Sequence, residues 1–176
     1  MEFMEVASKR ISTRAFTSEP ISIEDMDTIV KVGCAAPVGH AGFDRLRIVV
    51  VQNREWIAKL REEVRKINGS KEYDFVYGAQ TLVIVASRTD EGKPNTSRAD
   101  SANVINNMLM AATDIGIQSV FLYTPLFGLE ANPDLLNDLN LPEGYNPVAS
   151  AAFGYASNGE PEGRLLEDRI EISWFK

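Results

Sequence analysis

The chain holds one cysteine, Cys34, and one histidine, His40, in 176 residues. A single cysteine excludes an internal disulfide, and a single histidine excludes a His-rich metal site. No carboxylate cluster with metal-ligand spacing stands out either. Cys34 lies among Val32, Gly33, Ala35 and Ala36 and is expected to be buried as a small apolar residue. A Cys34–His40 nucleophile–base pair would need an accessible thiol and an oxyanion hole, and neither is legible. Neither G-x-G-x-x-G nor a P-loop occurs, so a nicotinamide, if one is used, is not held by a Rossmann turn. No apolar run approaches the length of a bilayer span. Met1-Glu2-Phe3-Met4-Glu5 lacks the basic-then-apolar order of a secretory signal, and the cytoplasm is the expected location. Basic residues are outnumbered, 18 Lys and Arg against 25 Asp and Glu, for a net charge of −7. With no basic block in addition, neither a nucleic acid nor an anionic membrane is an expected partner.

What is present is an ordinary globular composition, 44% hydrophobic and 24% charged. That length and composition predict one domain over 1–176 with a sizeable core. Residues 2–9 form a short helix candidate. Ser22 and Asp25 make a capping box ahead of Ile23, Met26, Ile29, Val30 and Gly33 at helical spacing, and Pro37 stops that helix. Residues 38–44 contain Gly39 and Gly42 and read as a loop able to approach a ligand. Arg47–Val51 and Thr81–Ala86 are buried strands. Between them Asn53 caps a helix with Trp56, Ile57, Leu60, Val64 and Ile67 on one face, ended by Asn68-Gly69. Residues 89–98 read as an exposed loop.

The longest helix candidate, 99–115, is apolar around most of its circumference, which places it centrally or at a subunit contact. Ser119–Tyr123 is a third strand. Pro125 and Gly128 bracket a turn, Asn132-Pro133 opens a further helix, and Val148–Phe153 is a fourth strand. The tail closes with Ile170, Ile172, Trp174 and Phe175 in a strand-like alternation. It needs a surface to pack on, in its own domain or in another subunit.

One segment carries chemistry: Lys9-Arg10-Ile11-Ser12-Thr13-Arg14-Ala15-Phe16. If it is extended, Arg10, Ser12 and Arg14 point to one side. Two planar cationic forks and a hydroxyl on one edge suit a phosphate or another anionic ligand. A solvated basic edge is the plain alternative.

Several blocks, taken in order, extend this reading. Arg10–Phe16, Ala35-Ala36-Pro37 before a loop and strand, Tyr77-Gly78-Ala79, Asp100–Ala112 through Gly116 and Ser119, Leu141–Tyr145 and Gly154-Tyr155 resemble the nitroreductase family of FMN-dependent oxidoreductases over essentially the whole chain. The resemblance implies an α+β fold, a mixed but mainly antiparallel sheet surrounded by helices. It also implies a homodimer with the C-terminal extension exchanged and FMN at the interface. The activity implied is ping-pong hydride transfer from NADH or NADPH to a small-molecule acceptor, nitro, quinone, enone or similar, with the flavin rather than a protein group carrying the chemistry. It assigns Arg10 and Ser12 to the FMN phosphate or ribityl chain, Arg14 to the N1/O2 edge of the ring, and Arg164 to the phosphate. It assigns Gly128 to flavin N5 through its backbone N–H. Ile11, Pro125 and Phe127 complete the residues it sets against the cofactor.

Two departures from the family pattern bear on function. The 38–44 loop is Val-Gly-His-Ala-Gly-Phe-Asp, without the Ser, Asn and Gln-Pro-Trp that many members carry. Glu162 replaces a second basic residue before Arg164. A flavin-binding protein of the same fold without turnover, and an unrelated module whose arginines are surface charge, are the competing readings.

Overall fold

The structure, a computed structural model, describes residues 1–90, 94–159 and 161–176. Three of its helices begin at side-chain caps. Ser22 Oγ accepts the Asp25 N–H at 3.0 Å and donates to the Asp25 carboxylate at 2.7 Å, opening α2 (Ile23–Cys34). Asn53 Oδ1 accepts the Trp56 N–H at 3.0 Å at the start of α3 (Arg54–Asn68), which ends at Gly69 with φ +69°. Asn132 Oδ1 accepts the Leu135 N–H ahead of α6 (Pro133–Asn137). The remaining helices are α1 (Phe3–Lys9), α4 (Ser97–Asp114) and α5 (Thr124–Ala131).

Four strands, β1 (Leu46–Val51), β2 (Thr81–Arg88), β3 (Gln118–Leu122) and β4 (Tyr145–Gly154), form a sheet in the order β1-β2-β4-β3. Every neighbouring pair is antiparallel, with Val49 opposite Ile84, Ile84 opposite Ser150 and Ser150 opposite Leu122. The parallel contact is a single bridge, Ser12 to Ser119. β4 begins earlier than the apolar run suggests and includes Pro147. The register shifts there, between Val85 and Ala86 on β2, and a bulge tolerates a residue that cannot donate to the ladder.

The central strands are buried on both faces. Leu82 and Ile84 meet Leu60, Val64 and Leu129 from α3 and α5 on one side. Val83 and Val85 meet Ile29, Ile105 and Met108 from α2 and α4 on the other. Helix α4 is central, as its apolar circumference predicts. Val104, Ile105, Met108, Leu109 and Ala112 are buried, while Asn103 and Asn107 donate to the Pro37 and Val32 carbonyls at the end of α2.

Four expectations are corrected. Arg47–Val51 is not a buried strand: β1 lies at the sheet edge, Arg47 and Val50 are exposed, and only Val51 is buried. Pro125 and Gly128 do not bracket a turn but lie inside α5, where Gly128 is buried; a Cβ there would meet Leu60 Cδ1 at 2.7 Å and Val64 Cγ2 at 2.9 Å. Cys34 is exposed, because the inward face of α2 carries Met26, Ile29 and Gly33 and the next residue turns about 100° away. Residues 170–175 form no strand. Trp174 is 80% exposed and Ile170 82%, since this segment has no ladder partner among the described residues of its own chain.

Leu60 is fully buried between α5 and the sheet. Leu60→Ala should lower unfolding stability by about 2–5 kcal/mol, read from the denaturant midpoint at an unchanged slope.

Candidate functional site

The Arg10–Phe16 segment leaves α1 and crosses the ends of β3 and β4 as an extended strap. The Thr13 N–H donates to the Ser119 carbonyl at 3.0 Å, and the Phe16 N–H to the Tyr77 carbonyl at 2.9 Å. Ser157 and Tyr155 complete the seam through Ala15 and Thr17. Phe16 is buried beneath it, and two glycines make the room. A Cβ at Gly78, itself at φ +88°, would meet the Phe16 carbonyl oxygen at 2.9 Å, and one at Gly154 would meet its ring at 3.0 Å.

The strap alternates only about Thr13, since Ile11 and Ala15 are exposed as well and the next buried residue is Phe16. Thr13 turns inward, and Ser12 and Arg14 on either side of it are exposed. Arg14 Nη1 donates back to the Ser12 carbonyl at 3.4 Å. Ile11, Ser12 and Arg14, with Ala156, Asn158 and Pro161 opposite, enclose a cleft of about 310 Å³. Thr13 also lines it, with Oγ1 buried and without a hydrogen-bond partner.

The tail brings Arg164 to the start of the strap, at the end of α1, although neither Arg164 nor Arg10 lines the cleft. Its N–H donates to the Ser8 carbonyl at 3.2 Å, and Ser8 Oγ donates to the Arg164 carbonyl at 2.6 Å. Arg164 is then close enough to disfavour the charged form of Arg10. Burial first, and then the Arg164 guanidinium, push the Arg10 guanidinium below its ordinary value. Among the described residues no ion pair involves Arg10, Arg14 or Arg164. Folding therefore holds two guanidinium groups together at a cost that an anion would relieve.

The other candidates lie elsewhere. β3 runs from Ser119, beside Ser12, to Leu122, three steps of strand that cover about 10 Å. Pro125 and Phe127 follow that far end, in α5; Pro125 is buried and Phe127 is half exposed. Gly128 faces the core, and at the fifth position of the helix its N–H belongs to the helical ladder. The structure thus groups Arg10, Ile11, Ser12, Arg14 and Arg164 at one end of β3 and Pro125 and Phe127 at the other, with Gly128 apart.

The 38–44 loop is rigidly held. His40 and Ala41 have φ of +56° and +50°. The buried Asp100 accepts the Gly39 N–H at 2.8 Å and the Thr96 hydroxyl, and the buried Arg45 donates to the Gly39 carbonyl at 2.6 Å. Sequence reading missed Asp100 and Arg45 as anchors. No local signal marks them, since Arg45 follows Asp44 and Asp100 precedes Ser101. It also missed Tyr123, which stacks with Phe121 at 5.9 Å, although the Phe121-x-Tyr123 alternation was there to be read.

Set beside known proteins, residues 7–155 match the family model described as the nitroreductase family. No curated protein matches the chain. Among solved structures, a nitroreductase with bound FMN from Bacteroides fragilis NCTC 9343 is 27% identical, with TM-score 0.83 over 99% of this chain and 100% of that one. A nitroreductase with bound FMN from Desulfitobacterium hafniense DCB-2 is 22% identical, with TM-score 0.86 over 100% and 99%. An FMN-dependent nitroreductase from Clostridium difficile R20291 is 19% identical, with TM-score 0.79 over 98% and 99%.

Inorganic phosphate added at constant ionic strength should raise the melting temperature of the protein freed of any cofactor. Arg10→Gln should remove most of that rise while changing intrinsic stability by no more than about 1 kcal/mol, because it also relieves the repulsion from Arg164. A phosphate response that survives in Arg10→Gln would place the anion elsewhere.

Proposed function

The chain belongs to the nitroreductase family, and we propose that it is an FMN-dependent oxidoreductase that takes hydride from NADH or NADPH and delivers it to a nitro, quinone, enone or similar small acceptor. The observation that carries this is the pair of Ser8–Arg164 hydrogen bonds that sets Arg164 beside the start of the Arg10–Arg14 strap, with no ion pair to Arg10, Arg14 or Arg164 among the described residues. The donor chemistry fits a phosphomonoester. Two guanidinium groups can share its charge, and the Ser12 hydroxyl and the orphaned Thr13 Oγ1 can donate to its oxygens or to the ribityl hydroxyls. FAD fits poorly, since no Gly-rich turn is available for a pyrophosphate. The Bacteroides and Desulfitobacterium neighbours hold FMN, which supports the same reading.

The chemistry that FMN supplies when bound is two-electron transfer in ping-pong order. The tasks left to this chain are holding and tuning. Arg10, Ser12 and Arg164 anchor the phosphate. Arg14, two residues along the strap and lining the same cleft as Ser12, would hold the ring at its N1/O2 edge, where its positive charge would favour the reduced anion. With the phosphate held at the strap, Pro125 and Phe127 beyond the far end of β3 would be the residues to hold the ring. Because Gly128 N–H is committed to α5, the first-turn N–H of Thr124 takes the place next to N5.

The assembly we propose is a homodimer of single-domain subunits with exchanged tails, working in the cytoplasm where both pyridine nucleotides are at hand. Its support is exposed apolar surface. Phe3 is 70% and Met4 64% exposed on α1, and Ile170, Trp174 and Phe175 stand free on the tail. Among the described residues no helix is long and apolar enough to cross a membrane.

The purified protein should be yellow, should release FMN on denaturation, and should bleach anaerobically with NADH or NADPH and recover its colour with a quinone. Release of FAD alone would overturn the cofactor assignment, and a flavoprotein that neither nucleotide bleaches would be the non-catalytic variant of this fold. Arg14→Ala, loaded with flavin, should show a two-electron potential lower by on the order of 20 mV or more, the equivalent of about 1 kcal/mol. Deleting the chain after Glu167 should weaken the dimer and lower flavin occupancy together, read by light scattering and absorbance. A dimer with full flavin content would remove the tail from both roles.

A further inference from the structure

A second cleft opens at the far end of β3, between the start of α4 and the exposed face of α5. Its volume is about 320 Å³, and Arg98, Tyr123, Phe127, Ser97, Asn146 and Glu130 are among the residues around it. Tyr123 is 50% and Phe127 55% exposed, an unusual outlay of aromatic surface. Four residues apart at the start of a helix, they are neighbours, and the Tyr123 ring continues to Phe121 at 5.9 Å with 31° between the planes. Of these rings Tyr123 and Phe127 line the cleft, and their exposed faces suit a flat ligand.

The small polar groups of the cleft are already occupied with one another. Ser87 Oγ donates to Ser97 Oγ at 3.1 Å, and the Ser97 N–H donates to Asn95 Oδ1 at 3.2 Å. Arg98 is different: it is exposed and in no ion pair among the described residues. Glu130, also lining the cleft, would repel a ligand carrying several negative charges. An aromatic platform with one free guanidinium suits a flat ring bearing a single anionic substituent.

We propose that this cleft is the acceptor site, that it selects aromatic or quinoid acceptors carrying one carboxylate or sulfonate, and that Arg98 is the specificity-determining residue. The proposal rests on the flavin reading above, which brings the ring along β3 to this end. The redox balance is that of the proposed activity. A quinone gains a hydride and a proton to become the hydroquinone, while NADH or NADPH loses the hydride and solvent supplies the proton.

The test separates binding from turnover. Naphthalene-2-sulfonate, which is redox-inert, should bind the flavin-loaded protein saturably by titration calorimetry. Arg98→Gln should weaken it about two- to fivefold, the size expected of one exposed charge pair, and Phe127→Ala should weaken it as well. In turnover, Arg98→Gln should lower the preference in kcat/KM for 1,4-naphthoquinone-2-sulfonate over 1,4-naphthoquinone by the same factor. Because the comparison is between variants on each acceptor, the different potentials of the two quinones cancel. Absent binding to the parent protein, or binding and preference unchanged in Arg98→Gln, overturns the proposal. Sulfonate binding lost in Arg98→Gln in a protein that no nucleotide bleaches upholds the cleft and retires the activity, so the two failures are distinguishable.

Discussion

β2 and β4 are buried along both faces, and the need to cover both at once shapes the rest of the molecule. Leu82 and Ile84 require one helical layer and Val83 and Val85 another, so α3 and α5 pack on one side and α2 and α4 on the other. The chain meets this by leaving β2 through α4 to place β3 at the edge, then returning through α5 and α6 to insert β4 between them. β3 is therefore an edge strand whose two ends lie at different surfaces of the protein. That is why one short strand can connect the proposed anion site at Ser119 with the exposed Tyr123 that follows its other end.

The anion site is built at the expense of local electrostatics. Arg10 is brought beside Arg164 and partly out of water, and both effects disfavour its charge. The site tolerates this because its backbone is over-determined. The strap is stitched to Ser119, Tyr77, Tyr155 and Ser157, and the tail to Ser8. Gly78 and Gly154 let Phe16 act as the anchor beneath. The rigid scaffold thus supplies the preorganisation, so that a bound anion gains charge-assisted contacts without ordering the loop.

The same logic applies to the 38–44 loop. Left-handed backbone at His40 and Ala41 is costly for residues with a Cβ. It is held there by a buried carboxylate and a buried guanidinium that both act on Gly39, so this unusual loop is a fixed feature rather than a tolerated irregularity.

The local devices were legible from the sequence alone. Ser22, Asn53 and Asn132 each start a helix through their own side chain. The valine-rich runs become strands because backbone and side-chain preferences there agree, and the Arg10–Arg14 alternation places Ser12 and Arg14 outward of a buried Thr13. These outcomes depend on residues within a few positions of each other. What the tertiary structure alone decided depends on partners far away in the chain. Arg164 joins Arg10 because the tail bonds to Ser8, across 156 residues. Gly128 became a packing surface because Leu60 and Val64 approach it, and Cys34 became exposed because α2 turned a different face to Met108. The tail alternates like a strand yet forms none, since alternation is a property of the segment, whereas a ladder needs an edge to pair with.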